Sequence, residues 1–237
     1  MTVPREATEL TTGLPDAYRR WRSSRLGQIT DALEERLIVE LVGPPLGRRI
    51  LDVGCGDAAL AVALAKRSAI VTGVDADPRM LAAGRARAEA SGVAVQLLQG
   101  DVRALAFPDG SFDVVLAVTV LCFVDDAARA VGEMGRVLRP SGRLLIGELG
   151  RWSLWAAKRR VSGWLGSRVW RKAAFRSAHA LKGLVTGAGL AVTGVHGAVY
   201  YPPLGPMAAL LAGCDAWIGK GTTAGAAFLV VEGRKPA

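Results

Sequence analysis

The stretch Asp52-Val53-Gly54-Cys55-Gly56-Asp57-Ala58-Ala59 decides the fold of this chain. It follows the apolar run Ile50–Val53 and leads into the Ala/Leu-rich segment Ala58–Arg67. A short apolar run, glycines and a helix-forming segment in that order predict a strand, a tight turn and a helix. Glycines let the backbone bend sharply there and let a ligand approach it closely. The stretch therefore predicts a ligand site on an α/β domain.

Outward from this turn, short apolar runs alternate with helical stretches, which predicts a parallel sheet with crossover helices. Further strands are predicted at Ile70–Val74, Val93–Leu98, Phe112–Val118, Arg143–Glu148, Ala191–Tyr200 and Ala226–Glu232. Helices are predicted at Asp16–Arg25, Asp31–Leu41, Pro78–Ser91, Asp125–Leu138 and Ala178–Gly187, the last with Ser177 as N-cap. The predicted fold class is α/β: a Rossmann-like, seven-stranded, mostly parallel sheet with helices on both faces and additional N-terminal helices.

The composition is that of a folded domain, with 51% hydrophobic and 22% charged residues. The longest apolar stretch, Val114–Val124, is too short to span a bilayer. The three cysteines, Cys55, Cys122 and Cys214, are far apart, and histidines are few; we therefore expect no disulfide and no bound metal. Met1–Leu14 does not resemble a signal peptide, so we expect a cytoplasmic protein.

Charge is distributed unevenly along the chain. Residues 1–150 carry 18 Lys/Arg and 19 Asp/Glu, whereas residues 151–237 carry 12 and 2, and the whole chain has a net charge of +9. Eight of those 12 cations fall between Arg151 and Arg176, with no acid among them. The basic character therefore belongs to one segment.

Charge at the glycine turn indicates which ligand it suits. Gly54-x-Gly56-x-x-Ala59 also fits the dinucleotide fingerprint, with Asp75 at the spacing of a ribose-binding acid. Asp52, however, precedes the first glycine by two residues, where its carboxylate would repel a pyrophosphate. The same carboxylate would attract the amino group and the sulfonium of S-adenosylmethionine. The turn therefore favours S-adenosylmethionine; the alternative for Asp52 is a local role in the turn.

Two more acids follow the next two predicted strands. Asp75 is placed to accept hydrogen bonds from both ribose hydroxyls, and Asp101 to accept one from the adenine amine. The alternative role for Asp75 is to cap the helix that begins at Pro78, but Asp77 suits that role better. Ligands of such sheets bind at the carboxyl ends of the strands, so three acids there are more specific than the glycine pattern alone.

Residues Arg49–Leu149 strongly resemble the class I S-adenosylmethionine-dependent methyltransferases, in particular the branch that includes the quinone-biosynthesis enzymes. The resemblance rests on Ile50-Leu51-Asp52-Val53-Gly54-Cys55-Gly56, Val74-Asp75, Gly100-Asp101, Phe107-Pro108-Asp109-Gly110-Ser111-Phe112-Asp113 and Leu138-Arg139-Pro140-Ser141-Gly142. It implies that Gly54 and Gly56 hold the methionine moiety, Asp75 the ribose and Asp101 the adenine amine. The predicted cofactor site also includes Cys55, Ala76, Val102 and Val118.

The resemblance implies one methyltransferase domain over residues 1–237. Its parts are an N-terminal helical lid (1–47), the cofactor-binding core (48–149), a basic Trp/Arg-rich cap (150–176) and a C-terminal part that completes the sheet (177–237). The expected reaction is in-line methyl transfer to a small-molecule acceptor that is anionic, aromatic or lipid-like. The alternatives are a nucleic-acid methyltransferase, an NAD-dependent oxidoreductase and a non-catalytic cofactor-binding fold.

Residues for the acceptor side are less clearly marked. Glu148, at the end of the fifth strand, is the first candidate for a general base, followed by His196 and Tyr200; for the last two, an ordinary role in the sheet is the alternative. Cys122 follows the fourth strand, near the expected acceptor, although a buried packing role suits a free cysteine better. Many relatives carry a histidine near Leu121-Cys122-Phe123, so its absence speaks against a histidine-dependent step.

Two segments rich in aromatic residues are candidates to cover the cofactor and the substrate. Tyr18 and Trp21, three residues apart, are expected either to close over the cofactor or to pack in the core. The cap holds Trp152 and Trp155 with two further tryptophans, and it suits a substrate lid, a membrane-surface patch or a solvated face. Its consecutive cations, residues 158–160, fall on different sides of a helix, so no apolar stripe is expected. No RNA-binding module is visible, which disfavours nucleic acid.

Overall fold

The computed structural model describes residues 20–237, except for the side chain of Arg168. The strands are β1 (Arg49–Val53), β2 (Ile70–Asp75), β3 (Gln96–Gln99), β4 (Phe112–Val118), β5 (Leu138–Leu149), β6 (Ala191–Ala198) and β7 (Phe228–Arg234). The helices are α1 (Arg25–Val42), α2 (Ala59–Ala65), α3 (Pro78–Ala90), α4 (Ala127–Val137), α5 (Leu154–Trp164), α6 (Arg168–Lys172), α7 (Ala178–Gly187) and α8 (Gly205–Gly221). A 3₁₀ turn, Leu121–Phe123, follows β4. Tyr18 lies outside the described residues.

The seven strands form one sheet in the order β3-β2-β1-β4-β5-β7-β6. Strands β1 to β5 pair in parallel, whereas β7 is antiparallel to both of its neighbours. The fold class predicted from the sequence is confirmed. After β1 the chain builds β2 and β3 on one side and then crosses to β4 on the other. The carboxyl ends of β1 and β4 therefore flank the crevice in which ligands of such sheets bind.

Alternating side chains divide the core into two layers. The first layer includes Leu51 and Ile146 and lies under α4 and α7. The second includes Ile50 and Leu145 and lies under α1, α2, α3 and α8. Both faces of the sheet are thus covered, which explains why the parallel strands consist of nearly continuous apolar residues.

Polar caps set several helix starts as the sequence predicts. The Ser177 side chain accepts a hydrogen bond from the N–H of Ala180, at the start of α7. Asp77 accepts one from the N–H of Arg79, and Pro78 occupies the first turn of α3, where its missing N–H costs nothing. The prediction that Asp77, and not Asp75, caps this helix is confirmed.

The structure differs from the predicted elements in the helices more than in the strands. Helix α1 begins at Arg25, not Asp31, because Ser24 caps it by accepting from the N–H of Gly27. Residues 20–23 form a separate helical turn before it. β3 begins at Gln96, three residues late, and β5 begins early, at Leu138, with a register shift against β4.

Two helices of the C-terminal part depart further from expectation. Helix α5 includes Gly163 in its last turn, although glycine is a poor helix former. Helix α8 was not predicted at all. Its opening Gly-Pro pair resembles a turn, and it is apolar around most of its circumference, so it lacks the alternation that marks a surface helix.

Candidate cofactor and acceptor site

The glycine turn is built from left-handed backbone conformations. Gly54 and Gly56 have φ angles of 70° and 54°, a region that glycine enters without strain. The N–H groups of Gly54 and Cys55 both donate to the carbonyl of Val74, at 2.7 and 3.0 Å, so β2 holds the turn in place. A Cβ on Gly54 would overlap the side chain of Val120. The glycine at this position is therefore required by both conformation and space.

Asp52 lies under this turn as a buried carboxylate. Its side chain is 3% exposed and accepts no hydrogen bond from any of residues 20–237. Burial and the nearby charge of Asp75 raise the pKa of Asp52 to about 7. Burying a charge is costly unless it is paired. A cationic ligand group would supply the pairing that the described part of the chain does not.

Asp75 holds the glycine turn. Its Oδ2 accepts from the N–H of Gly56 at 2.8 Å, and its Oδ1 accepts from the N–H of Asp77 at 2.9 Å. Burial raises the pKa of Asp75, and these hydrogen bonds oppose the rise. Each oxygen keeps a second lone pair, so the predicted ribose contact is compatible with this internal role.

Asp101 is already engaged with a neighbouring arginine. Both of its oxygens accept from the guanidinium of Arg103, and Oδ1 also accepts from the backbone N–H of Arg103. The guanidinium lowers the pKa of Asp101. The carboxylate is therefore fixed and ionised, and an adenine amine would have to share it with Arg103.

The remaining predicted cofactor residues lie beside these acids. Cys55 is buried against Gly73, and burial raises the pKa of its thiol, which agrees with a packing role. Ala76 follows Asp75, and its carbonyl accepts from the side chain of Gln99. Val102 is buried in the first core layer and Val118 packs on the second.

An ion-pair network ties the N-terminal helical turn to the glycine turn. Arg22 donates to both oxygens of Asp57, at 2.9 and 3.0 Å, and to Asp31 of α1 at 2.6 Å. Arg87 of α3 pairs with the same Asp57. The sequence did not point to this network, because Arg22 and Asp57 are 35 residues apart and belong to no shared motif.

Trp21 and Trp155 meet next to this network. Their rings pack edge to face with centroids 5.4 Å apart. The Nε1–H of Trp155 donates to the carbonyl of Tyr201 at 2.8 Å, which fixes the buried ring. Trp152, in contrast, is exposed, with the guanidinium of Arg151 over its ring. Of the predicted lid tryptophans, the structure brings Trp21 and Trp155 together and leaves Trp152 apart.

Glu148 is fully buried beneath the 3₁₀ turn. Its Oε1 accepts from the N–H of Cys122 at 3.3 Å, while its Oε2 has no hydrogen-bond partner among residues 20–237. Burial raises the pKa of Glu148 to about 7, opposed by the positive charge of Arg176. The Cys122 thiol is also buried, and its pKa is raised well above the usual value. Cys122 and Glu148 thus form one buried unit at the ends of β4 and β5.

His196 and Tyr200 lie elsewhere. His196 pairs across the sheet with Val230 of the second core layer, whereas Glu148 pairs with Leu229 of the first, so the two side chains project from opposite faces. The His196 ring contacts Glu232 at 2.8 Å. The Tyr200 hydroxyl donates to the carbonyl of Thr222, and burial raises its pKa to about 12. Neither side chain is brought to Glu148.

The three consecutive cations of α5 have different environments. Arg159 turns inward, with its guanidinium 5.2 Å from the ring centre of Trp155 and 4.9 Å from that of Trp170. Lost solvation lowers the pKa of Arg159, and the charge of Glu34 on α1 opposes this effect. Lys158 and Arg160 are exposed. The helix therefore directs one cation towards α1 and leaves two in solvent.

Asp215 of α8 is a further residue that the sequence analysis missed. It is buried, and its two oxygens accept from the N–H groups of Val199 and Tyr200 at 2.9 and 2.8 Å. These bonds stabilise the left-handed conformation of Val199 after β6. A single acid in an unpredicted helix gave no signal for this role.

The sheet order, the glycine turn and the buried acid at its base define a nucleotide-cofactor site of the methyltransferase kind. A family described as "Methyltransferase domain" matches residues 51–146. A ubiquinone biosynthesis O-methyltransferase from Methylobacterium sp. (strain 4-46) is 32% identical over 192 residues, covering 77% of this chain and 76% of the relative. The chain therefore belongs to the S-adenosylmethionine-dependent methyltransferases of class I.

Other relatives extend this result. A demethylmenaquinone methyltransferase from Thermus thermophilus is 42% identical over 113 residues, which cover 47% of this chain and 51% of the relative. The match thus spans about half the length of that relative. A crystal structure from Thermotoga maritima, described as a SAM-dependent methyltransferase and possible histamine N-methyltransferase, has 25% identity and a TM-score of 0.75 over 96% of this chain and 98% of the other.

Membership confirms the predicted family, the enzyme class at family level, and S-adenosylmethionine as the cofactor of the family. The individual site residues remain predictions.

No helix among residues 20–237 is long and apolar enough to cross a membrane. In the same part of the chain, no group of three or more His, Cys, Asp or Glu side chains is arranged to hold a metal ion.

Proposed function

We propose that this protein transfers a methyl group from S-adenosylmethionine to a small apolar acceptor, such as a quinone-like ring or a lipid-like molecule. Relatives named for demethylmenaquinone and for ubiquinone biosynthesis support the acceptor class. The inward cation Arg159 suits an acceptor that carries an anionic group. The free cysteines agree with a cytoplasmic location as part of the same proposal.

The observation that carries the proposal is the buried, unpaired carboxylate of Asp52. S-adenosylmethionine fits this position because its methionine moiety ends in an ammonium group, which would pair with Asp52. Gly54 and Gly56 leave the turn free of Cβ atoms, so a ligand can lie against the backbone. Asp75 would hold the ribose, and Asp101 the adenine amine. A dinucleotide would bring a pyrophosphate to the same carboxylate, which disfavours an NAD-dependent oxidoreductase.

When bound, the cofactor supplies a methyl group on a sulfonium, which is already a good leaving group. The chain has to align donor and acceptor and exclude water. We assign water exclusion to Trp21 and Trp155, with Arg22 and Asp57 holding the N-terminal helical turn against the glycine turn. Glu148 supports the 3₁₀ turn through Cys122. Its role as a base stays a prediction, since it requires an acceptor hydroxyl to reach Oε2.

Isothermal calorimetry with two ligands tests the role of Asp52. Asp52→Asn should weaken S-adenosylhomocysteine binding by about 3 kcal/mol, because one partner of a buried ion pair is lost. Methylthioadenosine lacks the ammonium group and should bind both proteins equally. NAD should bind neither. Equal loss for both adenosine ligands would mean that Asp52 only supports the fold, and NAD binding without S-adenosylhomocysteine binding would refute the proposal.

The pH dependence of binding gives a second test. With a pKa of about 7 in the free protein, Asp52 takes up a proton as the pH falls from 7 to 6 and can no longer pair with an ammonium group. Affinity for S-adenosylhomocysteine should therefore fall over this range. It should fall again above about pH 8, where an α-amino group loses its charge. Asp52→Asn should remove the acidic limb and flatten the basic limb, because both arise from the same ion pair.

A nucleic-acid acceptor is the second candidate, because residues 151–176 hold eight cations and no acid. A protein that neutralises phosphates binds with a steep salt dependence. The proposal of a small acceptor predicts that RNA and DNA bind weakly and are not methylated. Release of S-adenosylhomocysteine in a screen of metabolite classes, with RNA and DNA as parallel substrates, distinguishes the two.

A further inference from the structure

Helix α5 presents an apolar face to solvent. Leu154, Val161 and Leu165 recur at helical spacing on its outer side, and all three are exposed, Leu165 at 83%. Trp164, next to this row, is 94% exposed. The opposite side, which includes Trp155 and Gly163, is buried. Lys158 lies on the same side of the helix as Leu154 and Val161, so this face combines apolar side chains with a cation and is not a purely apolar stripe.

Helix α8 carries a second exposed apolar row. Met207, Leu210 and Trp217 lie three and seven residues apart, and Leu210 and Trp217 are 77% and 79% exposed. The helix contains two charged residues, Asp215, which is buried, and Lys220. A helix that is apolar around its circumference is normally covered by something. Within residues 20–237, these side chains remain uncovered.

The two helices are neighbours. The Lys158 ammonium of α5 donates to the carbonyl of Pro203 at 3.4 Å, and Leu204, itself exposed, is the N-cap of α8. Helix α5 therefore contacts the loop from which α8, with its exposed row, begins. We call this combined region the apolar–basic surface.

The segment that carries the apolar–basic surface is strongly basic. Residues 151–237 hold 12 Lys/Arg and two acids. One acid, Asp215, is buried, and the other, Glu232, is engaged with Arg143 and His196. Within residues 151–237, neither carboxylate side chain is therefore free to neutralise the exposed cations of this segment.

An open groove in the cap adds a site for a headgroup. It has a volume of about 440 Å³ and is lined by three arginines and three aromatic rings, namely Arg151, Arg160, Arg171, Trp164, Trp170 and Phe175. Guanidinium groups recognise phosphate well, and tryptophan favours the interface between headgroups and acyl chains.

We propose that the apolar–basic surface docks the protein on an anionic lipid bilayer. Exposed Trp and Leu side chains flanked by Lys and Arg are the pattern of helices that lie in a membrane interface. A second copy of the chain would bring two positive surfaces together, which like-charge repulsion opposes. Nucleic acid would satisfy the cations but would leave Leu154, Val161, Leu165 and Leu210 in water.

This proposal deepens the proposed function, because it names the surface at which the protein would meet an apolar acceptor. Only that meeting with the acceptor rests on the proposed function. Docking itself requires no catalysis. Vesicle binding and cofactor binding are separate measurements, so each proposal can fail while the other stands.

Co-sedimentation with large unilamellar vesicles tests the proposal. The wild type should bind vesicles containing about one third phosphatidylglycerol and should bind pure phosphatidylcholine vesicles far less, with high salt weakening the anionic case. Replacing both Lys158 and Lys172 by glutamine should lower the partition coefficient about fivefold per cation. Leu210→Ser with Val161→Ser should lower it at least about tenfold, through lost apolar insertion.

Matched controls separate docking from general surface chemistry. Leu46→Ser removes an apolar side chain that is 76% exposed but lies before β1, and Lys66→Gln removes an exposed cation after α2. Both should bind vesicles like the wild type. Thermal unfolding should show that every variant is folded, since all these positions are at the surface.

Four results would overturn the proposal. The first is no preference for anionic vesicles over neutral ones. The second is equal weakening by Leu46→Ser and by the Leu210/Val161 pair. The third is a concentration-dependent dimer that the Leu210/Val161 pair dissociates, which would assign the surface to a second copy. Salt-sensitive RNA binding in place of vesicle binding would likewise refute it in favour of nucleic acid.

Discussion

Arginines in the cofactor-binding core, residues 48–149 (here the core half), have different partners from arginines in the cap, residues 150–176. In the core half, Arg103 and Arg136 bind carboxylates, and Arg136 also donates to the carbonyls of Leu105 and Phe107. In the cap, Arg151 and Arg160 lie over aromatic rings. A carboxylate cancels the charge of a guanidinium, whereas a ring leaves it available.

This difference indicates that the two regions use their charged side chains in different ways. The core half uses its charges internally, to hold turns and strand ends where a cofactor needs them. The cap uses rings to position cations, and under our proposal their charge acts on an anionic bilayer. Substitutions in the core half should therefore change stability and cofactor binding. Substitutions in the cap should change interactions and leave the fold nearly intact.

The largest expected effect is that of Gly54→Ala. The alanine would have to adopt a left-handed conformation and overlap Val120, so we expect a loss of about 4 kcal/mol in unfolding free energy. Gly225→Ala in the C-terminal part has a similar φ of 78° and open space around it, and should cost about 1 kcal/mol. Urea denaturation of both variants measures the difference. Equal losses would show that conformation, not space, limits the glycine turn.

Asp75 and Asp215 form a matched pair, since each accepts two backbone N–H groups. Asp75→Ala should weaken S-adenosylhomocysteine binding by about 3 kcal/mol, because charge-assisted bonds to the ribose are lost. Asp215→Ala should lower stability by about 2 kcal/mol and leave the dissociation constant unchanged. Calorimetry and thermal unfolding on both variants test this. An unchanged dissociation constant for Asp75→Ala would show that its carboxylate serves the turn alone.

The comparison of arginines is tested by one substitution in each half. Arg136→Gln should reduce the free energy of unfolding by about 2 kcal/mol, because it breaks a partly buried network with two acids and two carbonyls. Arg160→Gln, in the cap, should reduce it by about 0.5 kcal/mol, the scale of an exposed cation–ring contact. Similar losses from both would refute the distinction between the halves.

The smallest expected effect concerns Glu148 and pH. Burial raises its pKa from 4.5 to about 7, so between these values the folded protein keeps a proton that the unfolded chain has lost. Stability should therefore fall as the pH rises from about 5 to 8. Glu148→Gln removes this dependence and should be more stable than the wild type at pH 8, but not at pH 5. Urea unfolding at both pH values checks the sign. A variant that is less stable at pH 8 would mean that the ionised carboxylate stabilises the fold.

The core half was largely predictable because its strands are buried on both faces. Strand β4 was predicted with its observed bounds, and α7 with its cap, since a continuous apolar run and a serine before a helix are strong local signals. The acids at the ends of β1 and β2 were found because the glycine motif fixes their positions.

The C-terminal part was less predictable, for physical reasons. Helix α8 exposes apolar side chains, so it has no polar face by which a sequence pattern would reveal a helix. The partners of Asp215 and Arg22 come from distant segments, and no local spacing encodes such contacts. His196 and Tyr200 were plausible as bases by residue type, but strand alternation directs His196 to the face opposite Glu148, and the Tyr200 hydroxyl donates to the carbonyl of Thr222.

The placement of β7 also constrains how the molecule is made. β6 is the edge strand, and β7 lies between it and β5. A ribosome synthesises β6 first, so β6 has no sheet partner until Phe228–Arg234 have emerged. Pairing of β5 with β7 must then close a loop of nearly 80 residues, for example between Leu149 and Phe228, and such long-range pairing is slow. Until then the β5 edge can pair with strands of other molecules. During synthesis, the part of the chain that carries the cap is therefore exposed to such wrong pairing for the longest time.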